Sequence, residues 1–179
     1  MKFIIKSSPQ LLFLIFGGVV VLMSLMSANR IFSQGSGLEL TKQKLYFQGE
    51  ILPDHLLYPT FAGLDRLQII MANNSNKVDL KTECAWKRLA YTQALLEKGH
   101  LELSFSTLTK AYKYYLDALI TAQSLSLTTL QKERLIESVE IFQFTANDLF
   151  TSFSDSQQEE LNRLGNQLTV LSQFFIDSI

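Results

Sequence analysis

After Pro59 the chain runs to its last residue, Ile179, without another proline. A proline inside a helix removes a hydrogen bond and clashes with the turn before it, at a cost of about 3 kcal/mol or more. This stretch is therefore open to long helices, and its apolar residues recur at alternating spacings of three and four, the mark of one helix face. Leu57, Phe61, Leu64 and Met71 predict a short helix from about Pro59 to Ala72. Asn73-Asn74-Ser75-Asn76 ends it, and Asn73 also heads a glycosylation sequon, which matters only in a eukaryotic secretory pathway. A helix over 77–98 follows with two apolar seams: Val78, Ala85, Leu89 and Leu96 on one side, and Leu80, Cys84, Tyr91 and Leu95 on the other. Two seams mean neighbours on two sides, so this helix is expected at the centre.

Gly99 suits the residue just past a helix end, and a tight hairpin leads into a helix over 102–124. Its stripe is Leu101, Phe105, Leu108, Tyr112, Tyr115 and Leu119. A third long helix, 129–153, carries Leu135, Val139, Phe142, Ala146, Leu149 and Phe153. The last, to about Ile176, carries Leu161, Leu164, Leu168, Leu171 and Phe175, and starts from a capping box at Ser154…Gln157 or Ser156…Glu159. The expected fold is all-α: an antiparallel bundle of four long helices, up-down-up-down, with the short Pro59 helix laid across one end.

Ahead of this domain, Leu11 to Ala28 contains no charged residue. At 1.5 Å per residue such a run spans roughly 27 Å, close to the hydrocarbon core of a bilayer. Lys2 and Lys6 precede it and only Arg30 follows closely, a bias that leaves the N-terminus in the cytoplasm and the rest outside. The run is longer than the apolar part of a secretory signal, and Met26 stands where a peptidase reads a small residue. An uncleaved signal anchor is favoured over a cleaved signal. The organisation read from the chain is an anchor over 1–30, a flexible linker over 31–49 and an extracytoplasmic bundle over 50–179.

Charge is unevenly spread. From Glu50 to Leu130 eight acidic residues balance eight basic ones, whereas Gln131 to Ile179 holds eight acidic and three basic, a net of −5. No basic footprint for nucleic acid exists, and an anionic lipid surface would repel the C-terminal part. Cys84 is the only cysteine, so no intramolecular disulfide can form.

Three blocks, Leu52-Pro53-Asp54-His55-x-Leu57-Tyr58, Lys87-Arg88-Leu89-Ala90 and Ala94-Leu95-Leu96-Glu97-Lys98-Gly99, give residues 51–122 a further character. This segment resembles a family of uncharacterised bacterial domains of unknown function, found in exported and often membrane-anchored proteins. The family usually has Pro where this chain has Leu56, and a basic residue near Thr60 and Phe61. The resemblance implies an extracytoplasmic helical domain and brings no activity with it. The same hairpin also looks like a single tetratricopeptide unit, with Gly99, Leu101 and Ala111 at suggestive offsets, although such units normally stabilise one another by stacking.

Candidate chemistry is sparse. Glu97-Lys98-Gly99-His100 matches the Glu-x-x-His of carboxylate-bridged metal bundles, but that chemistry needs two such motifs at mid-helix. Asp54 beside His55 reads as a structural cap between two prolines, Cys84 as a small buried hydrophobe, and Tyr112 and Tyr115 as core, with Tyr114 reaching the surface. No catalytic residue, cofactor or metal site is assigned. The expected role is a membrane-anchored module acting by protein–protein interaction or self-association. A metal- or small-molecule-binding sensor or enzyme bundle is the alternative. Ile141 and Phe144 fall off the core stripe among Glu137, Glu140 and Asp148, and Val170 and Phe174 fall off theirs among Glu160, Arg163 and Gln167; the four are the candidate partner interface, read as acid-rimmed.

Overall fold

A computed structural model describes residues 51–177. The apolar run Leu11–Ala28, the linker and the anchor reading lie outside the described residues. All regular structure within them is helical: α1 (Tyr58–Met71), α2 (Asn74–Glu97), α3 (Leu101–Gln123), α4 (Thr129–Asn147), a 3-10 turn (Phe150–Ser152) and α5 (Asp155–Ile176). None of the described helices is long and apolar enough to cross a membrane.

Local chemistry sets the helix ends. Pro59 lies in the first turn of α1, where its missing N–H costs nothing. The asparagine cluster does more than interrupt: the Asn73 side chain accepts from the Asn76 N–H at 2.9 Å and caps α2, which begins three residues earlier than its apolar pattern predicts. α2 ends in a Schellman motif. Gly99, at φ 78°, lets its N–H reach the Leu96 carbonyl while the His100 N–H reaches that of Leu95, both at 2.9 Å. Thr128 and Gln131 form a reciprocal capping box at the start of α4. At α5 the Gln157 side chain accepts from the Ser154 N–H, so of the two candidate boxes it is the earlier that forms. α4 stops at Asn147, short of the expected Phe153, and the 3-10 turn swings Phe153 back into the core against Phe105, ring centroids 6.0 Å apart.

The core gathers on one aromatic cluster. Phe142 of α4 meets Trp86 of α2 at 5.5 Å and Tyr112 and Tyr115 of α3 at 5.2 and 4.8 Å between centroids. The Tyr115 hydroxyl lies 2.6 Å from Ser138 Oγ of α4. These pairs run α4 antiparallel to α3, since Tyr115 meets Ser138 while Tyr112 meets Phe142. Leu161, Leu164, Leu168 and Phe175 of α5 close the same core. Helix direction alternates from α2 to α5, as expected. Neighbours do not simply follow chain order, however: α5 packs alongside the parallel α3, with Gln157 reaching Glu102 at one end and Gly165 facing the Tyr112 ring further on.

α1 is not laid across an end of the bundle. It runs back along α2, with Tyr58 edge-on to Tyr91 at 6.1 Å and Asp65 3.6 Å from Lys87. The reason is the short link, since α2 starts only three residues after α1 ends, and so short a joint favours an antiparallel pair.

Two substitutions test this packing in urea unfolding. A Cβ on Gly165 would meet nothing closer than Gln143 Nε2 at 3.9 Å and Tyr112 Cε1 at 4.0 Å. Gly165→Ala should therefore gain about 0.5–1 kcal/mol of stability from helix propensity. Phe142→Ala should lose about 3–5 kcal/mol, because three neighbouring rings lose their common contact.

Candidate functional site

The three sequence blocks that set residues 51–122 apart converge in space. Asp54, from the first, accepts from Lys98 Nζ of the third at 2.8 Å, with His100 Nε2 at 3.7 Å. The Lys98 ammonium holds the Asp54 carboxyl below its ordinary range. Asp54 is thus an ion-pair partner for a residue 44 positions away, and does not cap α1, whose N-cap Leu57 makes no side-chain cap hydrogen bond. The capping role in that turn falls to His55, whose Nδ1 accepts from the Leu57 N–H at 3.1 Å.

Tyr58, four residues after Asp54, meets Tyr91, the residue that directly follows the second block. Within that block Arg88 is 3% exposed. Its guanidinium lies over the Tyr114 ring at 4.2 Å, and Nη1 donates to the Cys84 carbonyl at 3.2 Å. Tyr114 accordingly presents its face to Arg88 and is half-buried, reaching the surface only in part, whereas Tyr112 and Tyr115 are fully buried. Its π-face favours the cation, and no carboxylate within salt-bridge distance of Arg88 is found among the described residues. Cys84 is buried, and desolvation pushes its thiol up to about 11. Sequence pattern missed Arg88 because a charged residue reads as an outward position. The same holds for Lys81, 8% exposed, which reaches Asp117 at 2.9 Å and Thr121 Oγ1 at 2.7 Å across α2 and α3. Long basic side chains bury their stems and find partners for the head.

Glu97 and His100 sit at the Schellman turn, both exposed, and no group of three or more potential metal-binding residues occurs among the described residues.

The four residues expected at a partner interface divide. Phe144 and Val170 are each 71% exposed and Phe174 is 53% exposed, whereas Ile141 is half-buried. The seam between α4 and α5 is marked by Gln143, which donates to the Gly165 carbonyl at 2.8 Å and to Thr169 Oγ1 at 3.1 Å. At about 100° per residue, Phe144 and Val170 each stand one step round from that seam, Phe174 about 140° and Ile141 about 160°. Phe144 and Val170 therefore flank the seam on the outer surface. Phe174 turns further away and packs edge-on to Phe175 at 5.6 Å. Towards the other end of α5, Glu160 and Arg163 form a two-point ion pair at 2.7 and 2.9 Å.

The Asp54–Lys98 pair has a pH signature. A carboxyl held low in the folded state contributes stability above its unfolded pKa, near 3.9, and loses it as pH falls through the folded value. Asp54→Asn should lower stability at neutral pH by less than about 1 kcal/mol. The difference from the parent should close below about pH 4 and vanish at lower pH, as read by denaturant melts across pH.

No curated protein and no solved structure matches the chain. A family model does match, over residues 50–170, taking in all three blocks, the Arg88 cluster and most of α5. The chain belongs to the family described as a domain of unknown function, DUF5667.

Proposed function

We propose that this chain is a membrane-anchored helical module, held outside the cytoplasm by the Leu11–Ala28 span, that works by binding a protein partner or a second copy and not by catalysis. The observation that carries the reading is the pair Phe144 and Val170, both 71% exposed beside the α4–α5 seam of a bundle that otherwise buries its α4 and α5 stripes. A buried Phe is worth about 1.5–3 kcal/mol, so a surface that leaves one in water is stabilised by whatever covers it. Glu137, Glu140 and Asp148 share the outer side of α4, giving an acidic rim that suits a basic-rimmed partner. Phe174 extends the surface round α5. The inward stripes are aliphatic and aromatic, whereas a ligand-binding bundle presents inward His and carboxylates; that composition favours a binding role over core chemistry.

Phe144→Ser combined with Val170→Ser tests the reading. Photo-crosslinking from the neighbouring Asp148 position in intact cells should yield a protein adduct that the double variant loses, while its melting temperature stays nearly unchanged. Loss of several kcal/mol of folding stability would assign both residues to the core and remove the interface. Protease added outside the cytoplasmic membrane should digest the bundle; protection until that membrane is lysed would reverse the topology.

A further inference from the structure

α1 has one face on α2 and another face on which no helix of the described residues lies. Ile69 is its buried residue, 8% exposed, while Leu67, Ile70 and Met71 are 43%, 66% and 71% exposed. At about 100° per residue these three fall within about 100° of arc, opposite Ile69, with Thr60 and Gly63 in the same sector. Leu56, 90% exposed, and Leu57, 50% exposed, precede them in the lead-in turn. Two charged residues occur on α1: Asp65 pairs with Lys87, and Arg66 stands exposed at the edge of the apolar sector. The outer sector thus has no acid.

We infer that this face of α1 lies on the surface of the lipid bilayer. The inference rests on the anchored reading above and adds a second membrane contact to it. Three observations select lipid as the occupant. Ile51, where the described domain begins, is 23 residues past Ala28, a length that cannot exceed roughly 80 Å even fully extended, so the domain stays near any bilayer holding the apolar run. α1 follows only seven residues later, making it the first helix of the bundle the chain enters. Charge then excludes one side of the bundle, and the apolar sector selects α1 among the rest. An anionic headgroup layer repels the outer sides of α4 and α5, where Glu133, Glu137, Glu140, Asp148 and Glu159 outnumber the basic Lys132 and Arg134 and where Glu160 is paired with Arg163. It accepts α1, whose apolar sector is edged by Arg66. A helix of this kind settles at the boundary between headgroups and acyl chains with its apolar side down. The acidic α4–α5 surface is then left free for a protein.

The test uses the full chain with Ile70→Cys, nitroxide-labelled and reconstituted into vesicles of phosphatidylethanolamine and phosphatidylglycerol. The native Cys84 is buried with its thiol pushed up to about 11 and stays unlabelled. Collision of the label with a water-soluble nickel chelate is compared with that at Asn166→Cys, an exposed site on α5. The expected result is an accessibility at residue 70 about threefold or more below that at residue 166, unaffected by diluting the protein in lipid, as an interfacially seated helix requires. Equal accessibility at the two sites, in protein that still floats with the vesicles, overturns the lipid contact and leaves the anchor standing. Protection at residue 70 that disappears on dilution assigns the face to a second copy and also overturns it. Protein that fails to float removes the anchored reading and this inference together.

Discussion

The ring of Phe142 is where helices α2, α3 and α4 meet, with Trp86, Tyr112 and Tyr115 all edge-on or tilted against it. Aromatic pairs favour such arrangements because the positive ring edge meets the negative face of the next. Geometry of this kind fixes angles as well as distances, which a purely aliphatic core does less strictly. It sets where α4 can sit on the α2–α3 hairpin, and α5 then has one remaining groove. Gly165 removes a side chain where α5 passes the Tyr112 ring, and Gln143 reaches across to the carbonyl of that same glycine. The space there still admits a methyl group, so it is the hydrogen bond and not the missing side chain that ties α5 to α4 at this point.

Much of this architecture could be read from spacing alone. The stripe of α5 and that of α3 from Leu108 to Leu119 correspond to buried residues, whereas Leu101 at the start of α3 is 51% exposed; the two seams of α2 match its central place, because a regular helix converts a period of three and four directly into a face. Gly99 was legible because its position demands a positive φ that few other residues tolerate. What spacing could not supply were the contacts between distant segments. The direction of α1 depended on a short link and a Tyr58–Tyr91 contact, neither of which leaves a periodic trace. Arg88 and Lys81 are buried through their stems, and a pattern that divides residues into apolar and polar assigns both to solvent. Angular position showed that Phe144 and Val170 lie off the core stripes. It could not show that Phe174 turns away from the seam, because that depends on which side of α5 faces α4.

The family match over residues 50–170 extends well past the hairpin that carries the three sequence blocks. The physical reason lies in the core. Leu108, Tyr112, Tyr115 and Leu119 of α3 are fully buried only because α4 and α5 cover them, so α2 and α3 would leave a large aromatic face in water as an isolated pair. The unit that can fold is the whole bundle, and the blocks mark one end of it.

That end is also where the chain comes in. Asp54 is clasped by Lys98 at the α2–α3 turn, and Tyr58 follows against Tyr91. A pull on Ile51 would load these contacts one after another, in the order Asp54, Tyr58, Asp65, Ile69, so that α1 would peel away from α2 like a zipper. Contacts opened in series yield at lower force than the same contacts sheared together. The aromatic core among α2, α3, α4 and α5 lies off that line and would remain closed. Under such a load α1 would yield before the bundle behind it.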